Sequence, residues 1–165
     1  MKNFKTENRP QSIFACLKDD HKEIKKLCKA ITGQDSGATA TAKSKFEQLR
    51  VLLSSHSKAE ERAFYALLKK KAETDGNGDL NDIVLEGYEE HHVADFLLRE
   101  LVILKPGDER WMAKMNVLKE ALDHHIEEEE EDMFSDAKAE LEEVEIKAIG
   151  ANFLDRQTEI AKRIR

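Results

Sequence analysis

His56-Ser57-Lys58-Ala59-Glu60-Glu61 and His125-Ile126-Glu127-Glu128-Glu129-Glu130 are the two stretches that decide the fold. In each, a glutamate follows a histidine by four residues, a step that puts both on one helix face about one turn apart. His56 comes three residues after Leu53 and His125 three after Leu122, so both pairs continue an apolar stripe and point inward. A buried carboxylate without a partner is costly, and two of them beside imidazoles call for a compensating cation.

Around these stretches the chain reads as helices. Phe46, Leu49, Leu52, Leu53, Phe64, Leu67 and Leu68 predict a helix over about 41–73, broken by Asp75-Gly76-Asn77-Gly78-Asp79. Trp111, Met115, Leu118, Leu122 and Met133 predict another over about 108–138, with Asp108 placed to cap it. Ile13, Phe14, Leu17, Ile24, Leu27, Cys28 and Ile31 give the first helix, about 10–32. Val84, Tyr88, Leu98, Leu101 and Val102 give the third, about 79–104, ended by Lys105-Pro106-Gly107. Short connections make neighbours antiparallel. The expected fold is therefore an all-α, up-and-down four-helix bundle over residues 1–138. A weaker stripe in 139–165, with Gly150 as a kink, adds a C-terminal helix that packs on or caps the bundle.

The other two inward histidines complete a pattern. His21 follows Leu17 by four residues and His91 follows Val84 by seven, on the first and third helices. His21 and His56 are 35 residues apart, His91 and His125 are 34 apart, and both His56 to His125 and Glu60 to Glu129 span 69. Each helix pair thus supplies one histidine and one His-x-x-x-Glu element, at similar depth. The candidate metal ligands are His21, His56, Glu60, His91, His125 and Glu129. Imidazole with carboxylate and no thiolate suits iron, manganese or zinc, and six protein ligands exceed one tetrahedral zinc. Two metal ions bridged by Glu60 and Glu129 fit the count. The residue types alone leave iron, manganese and zinc open.

Neighbouring signals rank lower. His92 and His124 are each rotated about 100° from a proposed ligand, although Leu85, Tyr88, His92 and Phe96 form a rival stripe that would favour His92 over His91. Tyr88, one turn before His91, reaches the cavity or packs in the core, packing being preferred. Glu61 and Glu128 are candidate groups behind the ligands, and the helical register turns Glu128 and Glu130 away, so replacing either should be nearly silent. Residues 75–86 place acids like a calcium loop, but Leu80 stands where that loop needs glycine, so they read as a turn and helix cap. Cys16 and Cys28, twelve residues apart on one helix, are too far apart to bridge and read as reduced thiols.

The charge of −7 leaves no concentrated basic face for nucleic acid, and no apolar run is long enough to span a membrane. The N-terminal stretch lacks a secretory signal, so a cytoplasmic location is expected.

Asp19-Asp20-His21, the stretch 56–61, Glu89-Glu90-His91-His92 and His124 to Phe134, taken in order, resemble the hemerythrin-like HHE cation-binding family over about 10–138. The resemblance implies a non-haem di-iron centre, with manganese or zinc ranked behind iron, that meets dioxygen, peroxide or nitric oxide, for sensing, scavenging or iron handling. It places the family's ligands on His21, His56 with Glu60, His91, and His125 with Glu129. An enzyme decomposing peroxide or nitric oxide, and a redox- or iron-responsive protein-binding module, are the alternatives. Two departures stand out against the oxygen-carrying hemerythrins. Those proteins have a second histidine on the third helix where this chain has Asp95, which is then an additional ligand or an acceptor for an imidazole N–H. Their last carboxylate follows its histidine by five residues rather than four. Fewer imidazoles argue against reversible oxygen carriage.

Overall fold

A computed structural model describes residues 11–33 and 39–164 of the chain. The expected helix start at residue 10 and the N-terminal stretch read for a secretory signal lie outside the described residues. Helices α1 (Ile13–Thr32), α2 (Thr39–Glu60), α3 (Ala66–Asp75), α4 (Gly78–Ile103), α5 (Glu109–Glu128), α6 (Phe134–Glu140) and α7 (Glu143–Ile164) follow in order, and no strand occurs among these residues. Two π turns, Glu61–Tyr65 and Glu129–Met133, join α2 to α3 and α5 to α6, making two long rods. With α1 and α4 these form four antiparallel rods, in which α1 packs on α2 and α5 while α4 packs on α3 and α5. No described helix is long and apolar enough to cross a membrane.

Local chemistry sets the starts. Ser12 accepts from the Ala15 N–H at 3.2 Å, Asn77 from the Leu80 N–H at 3.1 Å, and Asp108 from the Arg110 N–H at 2.8 Å, each satisfying a first-turn donor that has no partner within its helix. Asn77 performs this role in the segment that superficially matches a calcium loop, and α4 begins at its next residue.

The π turns explain a stripe that a regular helix cannot hold. His56, Glu60, Phe64, Leu68 and Ala72 are all buried, at steps of four, as are His125, Glu129, Met133 and Ala137. Each four-residue step turns an α-helix about 40° past a full circle. Four such steps would carry the stripe about 160° round, towards solvent. A π turn absorbs one extra residue and returns it to the core. Each of these turns comes at the glutamate of a His-x-x-x-Glu pair, where sequence periodicity alone predicts one smooth helix.

The core is divided. One apolar cluster gathers Ile13, Leu17, Phe64, Leu68, Phe134 and Phe153, and a second gathers Ile24, Leu53, Ala94, Leu98, Trp111 and Ile126. Between Leu17 and Ile24 on α1 lies His21, and the other candidate ligands occupy the same level of their rods. A polar layer therefore crosses the waist of the bundle. The two thiols pack in these clusters, and burial pushes Cys16 up to about 11 and Cys28 to about 12, so both are protonated and unreactive near neutrality.

Helix α7 lies along α1 and α2. It runs unbroken through Gly150, which sequence reading marks as a kink. The glycine instead allows close approach: a Cβ there would stand 2.2 Å from the Gln11 carbonyl oxygen and 2.9 Å from the Ile13 nitrogen.

Candidate metal centre

All six candidate ligands meet in the polar layer, each 5% exposed or less. His21 and His56 have ring centres 5.1 Å apart, and those of His91 and His125 are 4.8 Å apart. The two glutamates connect these pairs. Glu60 Oε2 lies 3.4 Å from both His56 Nε2 and His91 Nε2, while Glu129 Oε2 lies 3.3 Å from His21 Nε2 and 3.8 Å from His125 Nε2. Each carboxylate thus reaches one histidine of each pair. Atoms of Glu60, His91 and His125 all lie within 4.8 Å of one another, a grouping with metal-ligand chemistry.

The outward nitrogens follow one rule. His21 Nδ1 donates to Glu130 Oε1 (2.8 Å), His56 Nδ1 to Asp20 Oδ2 (3.1 Å), His91 Nδ1 to Glu61 Oε1 (3.0 Å) and His125 Nδ1 to Glu90 Oε2 (2.6 Å). An ionised carboxylate only accepts, so each Nδ1 carries the proton and each Nε2 presents a lone pair inward. Acceptors pass round the bundle: α1 supplies His56 on α2, the first π turn supplies His91 on α4, α4 supplies His125 on α5, and the second π turn supplies His21 on α1. In sequence each acceptor adjoins a candidate ligand: Asp20 with His21, Glu61 with Glu60, Glu90 with His91, Glu130 with Glu129.

Whether this cage suits a cation is decided by its inward atoms. Among the described residues, His21 Nε2 and both carboxylate oxygens of Glu60 and of Glu129 are buried without a hydrogen-bond partner. His91 Nε2 and His125 Nε2 face each other at 3.2 Å although both present lone pairs. Buried acceptors pointing at one another without a donor are unfavourable by several kcal/mol per ionised group. Positive charge placed among them removes that cost.

Protons compete with a cation for the same acceptors: His21 and Glu60 are pushed towards their protonated forms, while His56 and His91 are not. Burial holds His56 below the usual imidazole value and lowers His91 to about 4, which keeps both neutral and competent as ligands. His21 is raised: burial alone would lower it, but Glu129 and Glu130 outweigh that. Burial, followed by the charge of Glu129, raises Glu60 well above the carboxylate range. Glu129 is held below it by His21 and Glu60 despite its burial. The facing glutamates thus differ, because two adjacent buried carboxylates resist ionising together.

The remaining sequence candidates separate clearly. His92 and His124 are exposed and pair with Glu89 and Glu128 on their own helices, leaving His91 and His125 inside. Glu61 lies behind His91, but Glu128 does not lie behind any of the four inward histidines. Glu130, expected to be turned away, sits in the second π turn and accepts from His21, so that expectation is corrected. Asp95 binds Arg99 on the outer face of α4 and takes no part in the cage. Tyr88 donates its hydroxyl to the Glu61 carbonyl at 3.2 Å rather than reaching into the layer.

Sequence reasoning missed Tyr65. It is fully buried, its ring stacks on His91 at 5.3 Å with an 8° interplanar angle, and its hydroxyl has no partner among the described residues. Burial, then Glu129 and Glu60, raise its pKa well above the phenolic range, so it stays a donor. Gly87 makes the space: a Cβ there would lie 2.9 Å from the Tyr65 hydroxyl. The four-step stripe through Glu60 and Phe64 was the available clue, since it implies a turn in which adjacent residues Phe64 and Tyr65 both face inward.

A helical bundle with an interior histidine and carboxylate layer defines the class. Within that class the chain belongs to the hemerythrin family: the hemerythrin HHE cation binding domain matches residues 12–137. It is thus a metal-binding domain protein. The fold is similar to the crystal structure of a hemerythrin HHE cation binding domain-containing protein, the Rv2633c homolog from Mycobacterium kansasii. The TM-score is 0.77 at 20% identity, over 93% of this chain and 89% of the other. No curated protein sequence matches the chain.

Proposed function

We propose that this protein holds two non-haem iron ions and uses them to bind or respond to dioxygen, peroxide or nitric oxide. The observation that supports this best is the set of unpartnered inward acceptors, arranged as two histidine pairs with a glutamate reaching from each pair to the other. His21, His56, His91 and His125 would hold the ions through Nε2, with Glu60 and Glu129 shared between them. Six ligands for two ions leave positions open for a small molecule. Bound iron supplies reversible electron transfer and Lewis acidity towards such a molecule.

The chain's own residues contribute the setting. The four carboxylate acceptors fix the imidazole planes and the Nδ1 protons, which raises the basicity of Nε2. Among the described residues, Tyr65 offers a buried hydroxyl donor beside the layer that has no protein acceptor, suited to an anionic ligand. Phe64, Phe134 and Phe153 wall one side and limit the size of what enters.

The test is iron per chain by elemental analysis after aerobic expression in iron-replete cells, with optical spectra under air and after reduction. Two irons and a spectrum that responds to reduction, peroxide or nitric oxide are expected. No metal, or a single zinc, would sink the proposal. Sustained consumption of peroxide beyond stoichiometric oxidation would instead favour an enzyme at the same centre.

A further inference from the structure

Gln157 lies on α7, beyond residue 137 where the matched HHE domain ends, yet it is buried to 7% exposure. Its amide Nε2 donates to Asp20 Oδ2, the same oxygen that accepts from His56 Nδ1. One turn earlier on α7, Phe153 sets its ring edge-on to His56, centres 5.8 Å apart at 83°. Thus α7 touches His56 both directly and through its acceptor. Among the described residues, the other three acceptors have no such buried donor: Glu130 has only the exposed Lys18 at 3.8 Å besides His21, and the Glu61 and Glu90 carboxylates bond to histidine alone.

We infer that Gln157 is a positioning residue for one half of the centre, so that a helix outside the HHE domain tightens the metal position at His21 and His56 and leaves that at His91 and His125 untouched. This rests on the two-metal reading above. The reason is mechanical and electrostatic. A carboxylate with one hydrogen bond can swing about its χ angles, and the imidazole swings with it. A second donor on the same oxygen fixes Asp20, and Phe153 fixes the ring, so Nε2 keeps its aim. A neutral amide does this without supplying a cation that would cancel the charge of Asp20. Groups bonded directly to a ligand, as Asp20 is to His56, typically change metal affinity about 10–100-fold, and Gln157 acts one hydrogen bond further out. The two positions, related by an internal repeat, become unequal through α7.

The experiment loads the full-length protein anaerobically with iron(II) and follows release to excess chromogenic chelator. The wild type should release its two irons in two phases. Gln157→Met, similar in size but without the donor, should speed one phase about 3–10-fold, below the range for a group bonded directly to a ligand, and leave the other unchanged. Asp20→Asn should speed that same phase. In proton NMR of the iron(II)-loaded protein, the shifted Nδ1–H signal of one histidine should exchange faster with water in Gln157→Met. Leu154→Ala, which trims the packing of α7 on the first apolar cluster but removes no hydrogen bond to Asp20 and no ring from His56, should speed neither phase selectively. The inference is overturned if Gln157→Met changes neither phase, if it speeds both alike, or if Leu154→Ala reproduces its effect. A wild type that holds fewer than two irons overturns the reading beneath it, whereas two irons with an unaltered Gln157→Met overturn this inference alone.

Discussion

The half of the molecule built by α1 and α2 and the half built by α4 and α5 start from the same pattern and end differently. Each places an acid-histidine pair on one helix and a His-x-x-x-Glu-Glu element on the next. Against the first half lies α7, with Gln157 on Asp20 and Phe153 on His56. Against the second, no further rod lies among the described residues; its His91 is backed by the Tyr65 ring from the neighbouring π turn, and α4 leaves Phe96 60% exposed. The repeat sets which atoms face inward, and the packing around it sets how firmly each is held.

The sharpest way to break this comparison is to remove one shared carboxylate. On the two-metal proposal, Glu60→Ala and Glu129→Ala should each lower the metal content from two ions per chain to one or none, measured by elemental analysis at neutral pH. If one variant kept both ions, the glutamates would not be equivalent bridges. Next come the two glycines that let each half pack. Gly150→Ala drives a methyl group into the backbone of residues 11–13 and should cost about 3 kcal/mol, whereas Gly87→Ala meets the Tyr65 ring, which has some freedom, and should cost about 1–2 kcal/mol. Chemical denaturation of both variants tests the order, and a reversed order would show that α7 docks less rigidly than its contacts imply.

Removing an acceptor behind a histidine should act more gently. Glu130→Ala and Glu61→Ala should each weaken metal binding about 10–100-fold, while Glu128→Ala stays within about twofold, judged by competition with a calibrated chelator. An inert Glu130→Ala would mean that its contact with His21 contributes nothing to binding.

The smallest expected effect is on pH dependence without metal. Glu60 and His21 are raised in the folded protein, so the stability they contribute is lost as pH rises through their folded values. His56 and His91 are lowered, and their contribution is complete once pH exceeds the ordinary imidazole value of 6.5. That of Glu129, also lowered, is complete above 4.5. Between about pH 6.5 and pH 8 the remaining change is downward, on the order of 2–4 °C in melting temperature for each kcal/mol lost. Glu60→Gln should flatten the slope in chelator-treated protein. A melting temperature that rises across this range would contradict the sign.

Much of this was legible in the sequence because periodicity reports which way a residue faces. Helical steps from Leu17, Leu53, Val84 and Leu122 pointed His21, His56, His91 and His125 inward, and the stops at Gly33, Gly76 and Pro106 divided the rods. What stayed hidden depends on contacts between rods. Asp20, Glu90 and Glu130 look like ordinary surface acids until the neighbouring helix brings a histidine to each. Tyr65 was missed and Tyr88 weighed in its place because a uniform 3.6-residue period was carried through positions 61–65, where the helix widens. Gln157 carries no signal on its own stripe that would tie it to Asp20, 137 residues away.

The closed circuit of acceptors also governs sliding. Two apolar helices can shift past each other by one turn, about 5.4 Å, and still bury similar surfaces. Here such a slip of any one rod would separate the histidine it carries from one neighbour and the carboxylate it lends from another, leaving two buried polar groups stranded at once. A buried polar layer commonly serves to fix register. In this bundle it works as a key cut across all four rods, admitting one vertical alignment while the oily clusters above and below would tolerate several.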